Sequence, residues 1–158
     1  DSEARRSAYI GGPNRLKQAA DRKHGYLEAL RERKQPIRKE LVKCGHMCFN
    51  SGLTDTLELL SLPEPPDAIL AGQGLLSTAA VQAILSQGLR IPHDVAVIGF
   101  MSDWVSDMSY PRITFVKQNQ RELGRRTVKM LLDQINGSVS TKHVVVNGQL
   151  NIRDTTRK

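Results

Sequence analysis

A chain of 158 residues is long enough for one ordinary domain with a sizeable core, and 39% hydrophobic with 25% charged residues is the balance of a globular protein, not a disordered one. No apolar run approaches the ~20 residues of a membrane span, and Asp1-Ser-Glu-Ala-Arg-Arg6 lacks the pattern of a signal peptide, so the expected setting is the cytoplasm with no membrane partner. The net charge of +7 raises nucleic-acid binding, but residues 1–43 hold twelve basic side chains against six acidic ones, so most of the excess falls on one expected helix and its flanks as a solvated face.

In chain order, Arg6-Ser-Ala-Tyr-Ile-Gly-Gly-Pro13 reads as a strand ended by a Gly-Gly-Pro turn. A helix follows, with Leu16, Ala19, Ala20, Tyr26, Leu27 and Leu30 as its apolar stripe and Pro36 barring its continuation. Glu40–Cys44 is a short second strand. Asn50 or Ser51 is placed to cap the next helix, in which Leu53, Leu57 and Leu60 share a face and Pro63-Glu-Pro-Pro66 forces the end.

The most informative stretch comes next. Asp67–Ala71 and Asp94–Phe100 are short continuous apolar runs, the pattern of strands buried on both faces of a parallel sheet. Between them Leu75, Leu76, Ala79, Ala80, Ala83 and Ile84 recur at helical spacing, and Gly88 suits the left-handed residue that closes a helix. Parallel strands joined by a helix require a right-handed crossover, and ligands in such sheets sit beyond the carboxyl ends of the strands. The tips to watch are Gly72-Gln73-Gly74 and Met101-Ser102-Asp103.

Met101–Pro111 is polar and irregular and is expected to be a loop carrying Trp104. Ile113–Lys117 is the next strand. From Asn119 a long helix carries Leu123, Val128, Met130, Leu131 and Ile135 up to Gly137, and two short strands, His143–Asn147 and Leu150–Arg153, close the chain. The fold class is α/β, three layers, with a mainly parallel sheet flanked by helices.

Several chemistries are tested by these residues. Gly72-Gln-Gly-Leu-Leu-Ser77 follows a strand and opens a helix as a dinucleotide turn does, but Ser77 stands at the third glycine and the next strand ends in Gly99-Phe-Met101 without the acid that holds a ribose. Cys44-x-His46-x-Cys48 offers three soft ligands but neither a fourth nor the usual pair spacing, and two cysteines are too few for a disulfide framework. No Gly-x-Ser-x-Gly elbow or Walker loop is present, and Asp103 with Asp107 on an expected loop does not specify a catalytic pair. The expectation is a protein that is not an enzyme and needs no cofactor or metal.

Arg6–Pro13, Arg22-x-x-Gly25-Tyr26, Pro66–Ala71, Gly88-Leu-Arg-Ile-Pro92, Asp94–Phe100, Ile113–Gln118 and Leu123-Gly124 follow one another in the order and near spacing of the lactose-repressor (LacI/GalR) family, which the chain resembles over nearly its whole length. Leu150–Thr156 resembles that family's last strand. The resemblance implies a type I periplasmic-binding-protein fold, serving as the effector sensor of a transcription regulator with its ligand between two α/β lobes. Residues 1–158 would then be mostly the C-terminal lobe plus the helix over 123–135, which in the family returns to the first lobe. The opening Asp1-Ser-Glu-Ala4 resembles the start of a preceding first-lobe helix. Most of the first lobe and the helix-turn-helix that reads operator DNA would lie outside this sequence. The family also implies a homodimer, with the helix over Leu75–Gln87 as a contact surface, and an effector that is a sugar or related metabolite. A solute-binding protein of a transport system on the same fold is the alternative.

Carried over by position, the resemblance places Arg22 as the grip on a polar effector group, Gln118 at the crossover between lobes and Met47 where an aromatic residue often stacks. The chain departs from the pattern at the two tips. The usual Asn-Asp is Gly72-Gln73, and the aspartate after Gly-Phe is Met101, with Ser102 and Asp103 one and two places later. Trp104 is the stacking surface expected in compensation.

Overall fold

The computed structural model describes residues 5–137 and 143–156. Its elements are β1 (Ser7–Gly11), α1 (Lys17–Glu32), β2 (Val42–Cys44), α2 (Phe49–Leu60), β3 (Ala68–Ala71), α3 (Gly74–Ser86), β4 (Ala96–Phe100), α4 (Asp103–Asp107), β5 (Thr114–Lys117), α5 (Gln120–Ile135) and β6 (Gln149–Asn151). They build one six-stranded sheet in the order β2-β1-β3-β4-β5-β6, parallel except for β6, which runs antiparallel to β5.

Strand periodicity decides which helix covers which face. Ala8, Ile10, Ile69, Ala71, Val97 and Ile113 alternate onto one side and pack with Leu59 of α2 and Leu76, Ala80 and Ile84 of α3. On the opposite side Tyr9 meets α1: its ring stacks on Tyr26 with centroids 5.4 Å apart, and the Tyr26 hydroxyl donates to the Ser7 carbonyl at 2.8 Å. The α2 and α3 helices approach closely because small residues face each other. A Cβ added to Gly52 would come within 2.9 Å of Ala79 Cβ and 3.1 Å of Leu76 Cα.

The order of strands also locates the crevice. β1 leads through α1 to β2 on one side, and β2 leads through α2 to β3 on the other, so the direction of winding reverses at β1. The carboxyl ends of β1 and β3 therefore border a topological switch point, where a ligand finds an opening between diverging connections. Backbone bonds Gly72 N–H to Ile10 O at 2.8 Å and Gly45 N–H to Gly11 O at 3.0 Å hold the three tips level.

At the other end of the sheet, Thr155 plugs the parting starts of β4 and β5. Its hydroxyl accepts from Thr114 N–H at 2.8 Å and donates to Val97 O at 2.7 Å, while Val97 N–H donates to Thr155 O at 3.1 Å.

Some elements differ from the sequence expectation. The second strand was expected over Glu40–Cys44, but Lys39–Leu41 forms a single 3-10 turn and only Val42–Cys44 pairs with β1. The α2 helix starts at Phe49 behind Cys48, without the expected side-chain cap from Asn50 or Ser51. Met101–Pro111 is not wholly a loop: α4 forms within it because buried Ser106 donates its hydroxyl to Ile113 O at 2.8 Å, tying the turn to β5. His143–Asn147 is irregular rather than a strand. Its Val-Val-Val run has β propensity, but among the described residues it pairs with no strand, and propensity without a ladder does not make a strand. The last strand is Gln149–Asn151, displaced by a residue or two from Leu150–Arg153. The α1 stripe is narrower than its pattern, with only Ala19 and Tyr26 fully buried, and no residue of α5 is buried.

Candidate ligand-binding site

A cavity of about 400 Å³ lies at the carboxyl end of the sheet. Gln18 and Arg22 reach it from α1, Gln73, Gly74, Leu75 and Thr78 from the start of α3, Phe100, Met101, Ser102 and Val105 from the junction of β4 and α4, and Gln118 and Gln120 from the junction of β5 and α5.

Arg22 organises one side of it. Helical spacing sets Arg22 one turn from Ala19 and from Tyr26, the two buried residues of α1, so its side chain runs along the sheet. One Nη1–H donates to Gly72 O at 2.5 Å, and the guanidinium carbon lies 4.2 Å from the centre of the Phe100 ring. Phe100 is there by strand parity, sharing the α1 side of β4 with Ala96 and Ile98. Burial pushes the Arg22 pKa down, with the Tyr9 hydroxyl acting in the opposite sense, while Tyr9 itself is pushed up to about 12, mainly by burial. The result is a partly desolvated cation with N–H donors to spare beyond the Gly72 bond.

One further feature faces the same space, the start of α3; Gln73 Oε1 beside it is shut off from solvent and has no hydrogen-bond partner among the described residues. No side chain caps α3, so the N–H groups of its first turn, at Gly74 and Leu75 on the cavity wall, lack an intrahelical acceptor and carry the positive end of the helix dipole. Among the described residues no carboxylate lines this cavity.

Of the positions singled out in the sequence, Arg22, Gln73, Met101, Ser102 and Gln118 share this one wall. Gly72 supplies the carbonyl that Arg22 grips, and it must lack a side chain because a Cβ there would come within 2.8 Å of Tyr9 Oη. Met47 lies instead against Gly12, where an added Cβ would meet Met47 Cγ at 2.7 Å. Asp103 pairs with Lys117 and, with Trp104 and Arg121, borders a neighbouring hollow of about 440 Å³. Trp104 is 65% exposed and also stands in a third, apolar groove of about 800 Å³ between α3 and α4, with Leu75, Val81, Leu85, Met108 and Tyr110. Cys44 and Cys48 are free thiols, and no group of three or more metal-ligating side chains occurs among the described residues.

Sequence reasoning left out Gln18, Phe100 and Gln120. The first two carried a signal: Gln18 sits four residues before Arg22 on the same helix face, and Phe100 shares the parity of Ala96 and Ile98. Gln120 reaches the cavity only through the turn between β5 and α5, which no periodicity encodes.

The periplasmic binding protein-like domain family matches residues 1–156. The regulator CelR of Thermobifida fusca is 32% identical over 152 residues, and the repressor CytR of Escherichia coli K12 is 30% identical over 154 residues. Both alignments take in nearly all of this chain, 96% and 97%, but only 45% of the relative. Among solved structures, that of CelR in complex with cellobiose superposes with a TM-score of 0.91 at 32% identity, covering 97% of this chain and 47% of that one. A LacI-family regulatory protein from Chloroflexus aggregans superposes with a TM-score of 0.90 at 30% identity, covering 98% and 56%. These relatives are transcription regulators, not enzymes, and each is about twice as long as the present chain. With its sheet order and the match over residues 1–156, the chain belongs to the periplasmic binding protein-like domain family, and over nearly its whole length it is similar to LacI-type transcriptional regulators, of which it spans about half.

Proposed function

We propose that the cavity around Arg22 takes a small-molecule effector and that its occupation changes the operator affinity of a helix-turn-helix outside residues 1–158, in a cytosolic repressor. The carrying observation is the half-buried Arg22 laid across Phe100 at the carboxyl end of the sheet, with donors left over. A guanidinium fork there suits hydroxyl or carboxylate oxygens. Residues 5–117 with 149–156 form one lobe, and α5 with its exposed Leu123, Val128, Leu131 and Ile135 belongs with a second lobe supplied by the rest of the protein. The effector then sits between lobes, and closure is the change passed to the DNA-reading part. A homodimer is part of the same reading. The α3–α4 groove, with Met108 80% and Tyr110 91% exposed, presents an apolar surface that a second copy covers.

Titration calorimetry of the full-length protein against carbohydrates and nucleosides tests the site. Arg22→Ala removes a charged hydrogen-bond donor and is expected to weaken the bound compound by about 1.5–3 kcal/mol, roughly 10- to 150-fold. Equal binding by the variant would take Arg22 out of the site.

A further inference from the structure

The donor and acceptor balance of the cavity says more about what it holds. A neutral sugar offers hydroxyl donors as freely as acceptors, and it is best gripped where carboxylates stand beside an arginine. Among the described residues, this lobe's wall of the cavity has the arginine without the carboxylates. Gly72-Gln73 and Met101 occupy the tips of β3 and β4, and the nearest tip acid, Asp103, is turned to the neighbouring hollow and neutralised by Lys117. The polar side chains that remain are carboxamides and hydroxyls, from Gln18, Gln73, Thr78, Ser102, Gln118 and Gln120. Arg22 is partly desolvated and faces no counter-charge on the cavity wall, the uncapped start of α3 adds partial positive charge at the same end, and Arg121 stands at the adjoining hollow. A cation desolvated in this way is stabilised by an anion far more than by a hydroxyl.

Resting on the reading of this cavity as the effector site, we propose that the effector is a small polyhydroxylated carboxylate, a sugar acid. Its carboxylate pairs with Arg22 beside the first turn of α3. The carboxamides serve the remaining hydroxyls, each able to donate and accept.

The test is calorimetry on the full-length protein with matched pairs that differ mainly in the carboxylate: glucuronate against glucose, galacturonate against galactose and gluconate against sorbitol, with cellobiose and cytidine alongside. The acid of at least one pair is expected to bind tenfold or more tightly than its neutral partner. In Arg22→Gln that preference disappears, Arg22→Lys keeps part of it, and Gln73→Leu weakens acid and neutral members alike. Melting curves of each variant check that it is folded, and Arg22→Lys carries the test if Arg22→Gln is not. A neutral sugar or nucleoside that binds more tightly than every acid, and still loses affinity in the Arg22 variants, overturns the sugar-acid assignment while leaving the site in place. Binding that no Arg22 variant alters overturns the site as well.

Discussion

Thr155 shows how much one hydroxyl can carry at the residue scale. It is fully buried and satisfies both Thr114 N–H and Val97 O, so Thr155→Val keeps the shape and strands two backbone groups. The expected loss is about 2–3 kcal/mol in urea unfolding, with Thr155→Ser losing less because it keeps the hydroxyl. A Thr155→Val protein as stable as wild type, with the loss confined to Thr155→Ser, would show that the methyl group, not the bonding, matters. Asp94 makes a pH prediction. Its carboxylate accepts from the Arg90 backbone at 2.7 Å and from Arg90 Nε at 3.0 Å, and these bonds hold its pKa at about 2, below its ordinary 3.8. A depressed acid stabilises the fold above its ordinary pKa, and that contribution is lost as pH falls from about 4 to about 2. Asp94→Asn is expected to flatten this part of the stability profile, read by thermal melts across acid pH; an unchanged acid slope would show that the pair does not matter. The site was partly legible at this scale. Arg22 stood out through the family pattern, but its stacking on Phe100 joins residues far apart in sequence, and only the sheet brings them together.

At the scale of elements, the contact of α2 with α3 sets two rules against each other. In an exposed helix, replacing glycine by alanine gains about 1 kcal/mol. At Gly52 the new methyl would press on Ala79 Cβ and on the backbone of Leu76, so Gly52→Ala is expected to lose about 1–3 kcal/mol in chemical denaturation. A gain in stability would mean that the helices part easily. The β3–α3–β4 unit was readable because its strands are buried on one face and partly buried on the other, so burial is written in continuous apolar runs. The α4 helix and the irregular His143–Asn147 were not, because one depends on a tertiary bond from Ser106 and the other on a missing neighbour strand. The α5 stripe was read correctly as amphipathic, yet its apolar side stays open in this chain.

At the scale of the molecule, the three hollows divide the work. The polar cavity at the carboxyl end of the sheet is the proposed ligand site, the hollow beside it carries Asp103, Lys117 and Arg121, and the apolar groove lies between α3 and α4. If the groove is covered by a second copy, Met108→Glu with Tyr110→Glu is expected to shift the full-length protein from dimer to monomer in sedimentation, while leaving ligand affinity within about twofold; a dimer that persists would place the interface elsewhere. Coupling between the cavity and DNA is the central claim, and it is measured by operator affinity of the full-length protein with and without the bound sugar acid. Wild type is expected to change its affinity at least about fivefold on saturation and Arg22→Gln not at all at the same ligand concentration. An Arg22→Gln protein that responds as wild type does would contradict it.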